Sequence, residues 1–96
     1  FLPWAKDNYA CVIFNLHTQH GHNELAITAQ TFRDLIAIAQ SLSGSFYLTY
    51  HRYVEKEMLD LCYPNFGKFL AQKKKYDPDL VFQSQWCRHY SRMYGV

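Results

Sequence analysis

The residues best suited to chemistry lie in one short stretch, SFYLTYHRY at positions 45–53. His51 is the side chain most able to titrate near neutral pH. Alternation along the stretch predicts a strand, and one face of it carries Tyr47, Thr49, His51 and Tyr53. Burying these hydroxyls and this imidazole is costly unless a ligand or partner satisfies them. The face is therefore either one wall of an active site or an interface in which His51 is only hydrogen-bonded.

The opposite face of this predicted strand is apolar and aromatic, with Phe46, Leu48 and Tyr50. Such a stripe is typical of core packing, and a stacking platform for nucleic-acid bases is the alternative. The lysines at positions 73–75 could bind phosphate, but lysines in the last turn of a helix also complement its negative end. Because the net charge is only +2, we favour the structural interpretation of both features and expect no nucleic-acid partner.

A second polar cluster, HTQHGHNE, brings together His17, His20, His22 and Glu24. Imidazoles and a carboxylate on a loop could ligate zinc or copper. The spacing matches no defined metal site, and polar residues collect wherever a turn leaves a strand. We therefore interpret the cluster as a solvated turn and expect no metal ion.

The three cysteines, Cys11, Cys62 and Cys87, are widely spaced and form no zinc-binding pair. We expect each to be a small apolar residue in or near the core, in a reducing, cytoplasmic compartment.

With 49% hydrophobic and 18% aromatic residues in 96 positions, the chain is expected to form one soluble domain. No apolar run is long enough for a membrane span. The start at Phe1 and the lack of a targeting signal favour a piece of a longer protein.

Hydrophobic periodicity predicts an α+β order of strand, helix, strand and helices, followed by a C-terminal tail. The predicted helix over 24–42 has one apolar stripe, and Asn23 is placed to cap it. Two strands joined by such a helix cannot be hairpin partners, and two strands alone make a poor sheet. We expect the parent protein or a second copy of the chain to complete that sheet. The ranges are strands 9–17 and 45–53, helices 24–42, 55–61 and 64–77, and a tail without clear period over 80–96.

The second half of the chain resembles the C-terminal end of FAD-linked oxidases and dehydrogenases of the vanillyl-alcohol-oxidase type. Its nearest likeness is to the branch with aldonolactone oxidases and decaprenylphosphoryl-ribose oxidase. The resemblance rests on GSFYLTYHRY, on the Tyr-Pro-x-Phe-x-x-Phe segment over 63–69, and on Lys-x-x-Asp-Pro-x-x-x-Phe over 74–82. It covers residues 44–90 well and the preceding strand and helix loosely.

The resemblance implies a two-domain flavoenzyme in which an N-terminal domain holds FAD and a C-terminal cap forms the substrate pocket. Residues 1–96 would be a single-domain fragment, the C-terminal part of that cap, with a partial ferredoxin-like fold. Its partner would be the FAD-binding domain of the same protein, and its substrate an alcohol or a sugar-like molecule oxidised by hydride transfer to flavin. The fragment alone would be inactive.

The resemblance also implies roles for individual residues. His51 would be the catalytic base or would orient the substrate hydroxyl, and Arg52 would contact an anion or the flavin edge. Tyr47 and Tyr50 would line the substrate pocket. Ser84 would donate a hydrogen bond on the flavin side.

The sequence departs from the lactone-oxidase pattern at one point. The His-Trp-x-Lys motif of these enzymes is replaced by HRYV at 51–54, so that the lysine has no obvious carrier. A second function remains open at this stage, a small α+β protein-interaction module that dimerises through its open strand edges.

Overall fold

The computed structural model describes residues 6–96, and this part of the chain is helical with no strand. The predicted α+β class, with its partial ferredoxin-like sheet, is therefore wrong. The first predicted strand, 9–17, lies in the non-helical segment before the first helix, and the second, 45–53, lies in the loop between the first two helices. The four helices of the described chain are α1 His22–Ser41, α2 Lys56–Cys62, α3 Phe66–Tyr76 and α4 Gln85–Tyr94.

Neither predicted strand forms, because neither segment has a neighbouring strand to pair with. Residues 10–17 make no backbone hydrogen bond to another described residue, and the adjacent side chains Val12 and Ile13 are both exposed. Residues 45–53 pass through a turn at 48–50, which ends the alternation between faces. Apolar alternation alone therefore did not distinguish a paired strand from an extended loop.

Helix α1 confirms the predicted apolar stripe and most of the predicted helix over 24–42. The cap differs, since Gly21 is the N-cap residue and Asn23 lies inside the helix. Ala29 and Ile36, seven positions apart, are buried on one face. The helix ends before Ser43, which adopts a left-handed conformation with φ of 60°.

Helices α2 and α3 also lie close to their predicted positions. Pro64 precedes α3 by two residues, and Asp77 ends it, as the Asp-Pro pair predicts. Phe66 and Leu70 form the buried face of α3. Tyr76, the last residue of α3, is exposed.

The predicted C-terminal tail is mostly a helix, α4, which packs into the core. Ser84 caps its first turn by accepting a hydrogen bond from the backbone N–H of Cys87 at 3.1 Å. Its buried positions are Cys87 and Tyr90, and Trp86 packs beside them. The interpretation of residues 80–96 as a tail is wrong because aromatic residues here occupy the apolar face of a helix.

The core lies where the short helices meet the loop after α1. Phe66 is fully buried, and its ring makes edge contacts with Trp86, Tyr90 and Tyr94 of α4 at centroid distances of 5.3–5.6 Å. Edge-to-face contacts of this kind add to the stabilisation from buried area. The buried cluster comprises Ile36, Leu48, Val54, Leu59, Cys62, Tyr63, Phe66, Leu70 and Tyr90.

The cysteine prediction holds for two of the three residues. Cys62 and Cys87 are buried, but Cys11 is exposed on the extended N-terminal segment, and all three are free thiols. None of the helices within residues 6–96 combines the length and apolar character needed to cross a membrane.

Asp77 holds the loop that leads into α4. Its carboxylate accepts hydrogen bonds from the backbone N–H of Val81 at 2.8 Å and of Phe82 at 3.1 Å, and it pairs with the ammonium of Lys73. The hydrogen bond from Lys73 is the main reason that the pKa of Asp77 lies below its usual range. These contacts hold Leu80 in a left-handed conformation with φ of 55°.

We expect Asp77→Asn to lower the stability of the chain at neutral pH. A lowered folded-state pKa contributes stability above the unfolded pKa of 3.8, and that stability is lost as pH falls through the folded value. The difference between the two proteins should therefore shrink in acid. Urea unfolding at neutral and strongly acidic pH measures it, and a difference that persists unchanged in acid would contradict the role given to the charge.

Candidate functional site

The segment over residues 45–53 begins where α1 ends in a tight turn at Gly44. The backbone N–H of Gly44 donates to the carbonyl of Ala39 at 2.7 Å. A Cβ atom at this position would lie 2.9 Å from the same carbonyl oxygen, closer than side chains tolerate. Glycine is therefore required here, and the turn directs the following residues across the core.

Hydrogen bonds from other elements hold the segment near both of its ends. The indole N–H of Trp86 donates to the carbonyl of Leu48 at 3.0 Å, and the hydroxyl of Tyr63 donates to the carbonyl of Phe46. Near the other end, Arg33 Nε donates to the carbonyl of Tyr53 at 2.8 Å. These contacts replace the sheet ladder that the sequence predicted as support for the segment.

His51 lies in an aromatic cage formed by Phe32, Phe46 and Tyr53. Its ring centroid is 4.2 Å from that of Phe32, 5.4 Å from that of Tyr53 and 6.4 Å from that of Phe46. The rings of Tyr53 and Phe46 are nearly parallel to the imidazole, at 20° and 13°. Phe32 comes from α1, so the cage joins that helix to the loop.

The environment of His51 favours a neutral imidazole. Burial lowers the pKa of His51, because the charged form loses hydration in the cage. Its Nδ1 atom is buried and has no hydrogen-bond partner among the described residues. A neutral imidazole keeps one nitrogen free to accept a proton. The arrangement can therefore supply a base. The Nδ1 atom of His51 could also form a hydrogen bond with a bound group.

Tyr47 and Tyr50 lie together on the outer side of the same turn. Their ring centroids are 5.6 Å apart, and the side chains are 56% and 83% exposed. The predicted packing of Tyr50 with Phe46 and Leu48 is wrong, because the turn at 48–50 points it outward. Two exposed aromatic rings at this distance form a platform large enough for one flat or ring-shaped ligand.

Arg52 is exposed. Burial lowers the pKa of His89 in α4, and the positive charge of Arg52 lowers it further; the same charge also acts on Tyr90. For Tyr90 the larger effect is burial, which raises the pKa to about 12. Arg52 thus lies near both the cage residue His51 and the C-terminal helix.

Ser84 lies apart from the other predicted site residues. It borders an open groove of about 540 Å³ between α3 and the start of α4, and no residue of segment 45–53 lines that groove. Its Oγ atom accepts the N-cap hydrogen bond, while its hydroxyl hydrogen remains able to donate. The structure gives Ser84 a capping role, and a flavin contact remains a prediction.

Other polar groups near the segment were missed by the sequence interpretation. His89 Nε2 and the Tyr90 hydroxyl are buried and have no hydrogen-bond partner among the described residues. Both belong to α4, which the sequence had assigned to a tail. A signal was present, since Trp86, Tyr90 and Met93 recur at helical spacing.

The histidine-rich loop does not form a metal centre in the described structure. His17, His20, His22 and Glu24 are all exposed. Among residues 6–96, no three side chains of the metal-binding types lie close enough together to hold an ion.

Comparison with known proteins identifies the protein family of the chain. Residues 1–90 match the D-arabinono-1,4-lactone oxidase family, whose members are FAD-linked oxidases. The chain belongs to this family, and the resemblance to the aldonolactone oxidase branch is confirmed. No curated protein and no solved structure matches the chain.

The family implies FAD. The described residues are better suited to contact the ring system of FAD than to hold the whole cofactor. The unpartnered His51 Nδ1 is a polar atom that a bound group could satisfy, and Arg52 is a cation without a carboxylate partner among the described residues. The four glycines, at positions 21, 44, 67 and 95, are too far apart for a glycine-rich diphosphate loop.

Proposed function

We propose that this chain forms part of the substrate domain of an FAD-dependent oxidoreductase that oxidises an alcohol or a sugar-like substrate. An aldonolactone is the first substrate to test, because the family is named for D-arabinono-1,4-lactone. The single observation that carries the proposal is the aromatic cage around His51, where burial lowers the pKa of the imidazole, in a chain of this family. The N-terminal FAD-binding domain of the same protein is the partner.

His51 accepts the proton of the substrate hydroxyl in this proposal. When FAD is bound, it supplies the acceptor for the hydride that leaves the substrate carbon. A histidine with a lowered pKa is unprotonated at neutral pH and is ready to act as a base. The cage fixes the plane of the imidazole ring, so orienting the ring for the reaction costs little free energy.

Tyr47 and Tyr50 bind the substrate in this proposal. Their exposed rings, 5.6 Å apart, offer apolar faces to a sugar-derived ring and hydroxyls to its oxygens. Both lie within four residues of His51, so a substrate held there is near the base. Arg52 and Ser84 complete the assignment, with Arg52 contacting an anionic group or the flavin edge and Ser84 donating a hydrogen bond on the flavin side.

The alternative function is no longer supported, since a small module that dimerises through strand edges needs a strand. The described residues contain no strand, so no open edge of that kind exists among residues 6–96. A homodimer formed through other surfaces is a separate matter, which size-exclusion chromatography measures directly.

The experiment that tests the proposal mixes the FAD-loaded full-length protein with D-arabinono-1,4-lactone in the absence of oxygen. We expect the absorbance of oxidised flavin to fall.

In steady-state assays, we expect Tyr50→Ala to raise KM about tenfold with a smaller change in kcat, because an aromatic contact contributes on the order of 1 kcal/mol to binding. Tyr76→Ala is the matched control, since Tyr76 is also exposed but lies at the end of α3. Equal KM values for Tyr50→Ala and Tyr76→Ala would contradict the platform.

A further inference from the structure

A second polar cluster lies beside the cage, where segment 45–53 meets the C-terminal half of α4. It consists of Arg52 from the segment and His89, Tyr90 and Arg92 from the helix. The rings of His89 and Tyr90 are 4.8 Å apart, and Tyr90 is fully buried. Arg52 and Arg92 are exposed, and the charges of both act on His89.

The packing of the segment on α4 explains why these residues come together. Leu48 and Val54, which flank Arg52, are buried in the same core cluster as Tyr90. The hydrogen bond from the Trp86 indole to the carbonyl of Leu48 fixes the segment against the helix. On α4 itself, His89 and Arg92 are three residues apart and therefore lie on one face. Two separate elements thus bring positive charge to the same place.

The positive charge in this cluster is not compensated by a carboxylate. Neither Arg52 nor Arg92 forms an ion pair with another described residue. Burial lowers the pKa of His89, and the charges of Arg52 and then Arg92 lower it further. His89 Nε2 and the Tyr90 hydroxyl also have no hydrogen-bond partner among the described residues. Buried polar atoms without partners are rare in proteins and often mark the place of a missing ligand.

We propose that Arg52, His89 and Arg92 form an oxyanion site that binds a phosphoryl group. A guanidinium presents a planar fork of N–H donors that matches phosphate oxygens in pairs. The three terminal oxygens of a phosphoryl group can accept from two such forks that share one oxygen, whereas a carboxylate has two oxygens in all. Donors on two different elements, with unpaired polar atoms of His89 and Tyr90 beneath them, therefore suit the phosphoryl group better.

The phosphoryl group could belong to a phosphate monoester or to the diphosphate of a nucleotide, and both present the same oxygens. The test therefore uses inorganic phosphate, methyl phosphate and ADP as separate probes. Each is titrated into the 96-residue chain at constant ionic strength, with chloride as the replaced anion, while NMR follows the Nε–H resonances of the arginines. The proposal shares Arg52 with the proposed function but does not rest on His51 or on bound flavin, so phosphate binding and flavin reduction can fail separately.

We expect the resonances of Arg52 and Arg92 to shift and saturate with inorganic phosphate. Arg88 is the matched control, because it lies on the same helix but donates to the side chain of Gln83 at 3.2 Å. Arg52→Gln and Arg92→Gln should each weaken phosphate binding about tenfold, the usual loss for one charge-assisted hydrogen bond, while Arg88→Gln leaves it unchanged. Stronger binding of methyl phosphate than ADP would indicate a monoester, and the reverse a nucleotide diphosphate. Shifts that do not saturate, or that are equal at Arg88, would overturn the site.

Discussion

In the FAD-loaded full-length protein, His51→Gln is expected to slow the reduction of flavin by an aldonolactone about 10²–10⁴-fold, the usual contribution of a general base. Glutamine has a polar side chain of similar reach but cannot accept the proton of the substrate hydroxyl at neutral pH. The aromatic cage of Phe32, Phe46 and Tyr53 should still surround it. The variant should therefore bind substrate and cofactor while losing rate.

Single-turnover mixing without oxygen measures this effect apart from any later step. His17→Gln is the matched control, because His17 is exposed on the loop before α1 and has no place in the proposed site. Far-ultraviolet circular dichroism of both variants checks that the helices persist. A His51→Gln protein that reduces flavin as fast as His17→Gln would remove His51 from the mechanism.

Phe66→Ala is expected to cause the largest loss of stability, about 3–5 kcal/mol. Phe66 is fully buried and touches three aromatic rings of α4, so its removal leaves a cavity between α3 and α4. Small domains are stable by only about 5–15 kcal/mol. The loss should therefore leave α4 poorly held, and with it the support that Trp86 gives to segment 45–53.

Urea unfolding of wild-type, Phe66→Ala and Phe69→Ala chains measures the effect on the free energy of unfolding. Phe69 lies one turn further along α3 but is 41% exposed, so its truncation should cost clearly less. The two variants lose the same atoms, and the comparison therefore isolates burial. Equal losses for the two substitutions would show that the core does not lie between α3 and α4.

The helices that could be predicted from the sequence are those whose apolar residues are aliphatic or clearly periodic. Helix α1 has Ile36 and Ala29 on a long stripe, and α3 is bounded by Pro64 and the Asp-Pro pair at 77–78. These signals are local, because they depend on backbone conformation and spacing within a few residues. Even so, the cap at Gly21 in place of Asn23 shows that helix ends are set by contacts beyond this pattern.

The missing strands and the missed helix α4 have different causes. Segments 9–17 and 45–53 alternate like strands, but strand formation depends on a pairing partner, which is not a local property. For α4, mixed aromatic and arginine residues concealed a helical face made by Trp86 and Tyr90. An aromatic residue with a polar tip can lie in the core, and Tyr90 does so completely.

The candidate site was predictable in part. His51 and Tyr47 could be singled out from residue type, whereas only the resemblance singled out Tyr50; the match confirms the family, and the roles of these residues stay predictions. The cage could not be predicted, because Phe32 reaches His51 from α1 only after the chain has folded. The polar atoms of α4 near Arg52 were missed for the same reason.

The most direct test of the central claim, that a caged neutral His51 is the catalytic base, is the pH dependence of flavin reduction. A base must be unprotonated to act, so the rate constant should rise with pH through the pKa of His51 and be constant above it. Because burial lowers that pKa below the usual 6.5, the midpoint of the rise should lie below pH 6.5, and His51→Gln should abolish this rise. A rise with the same midpoint in the His51→Gln protein would contradict the claim.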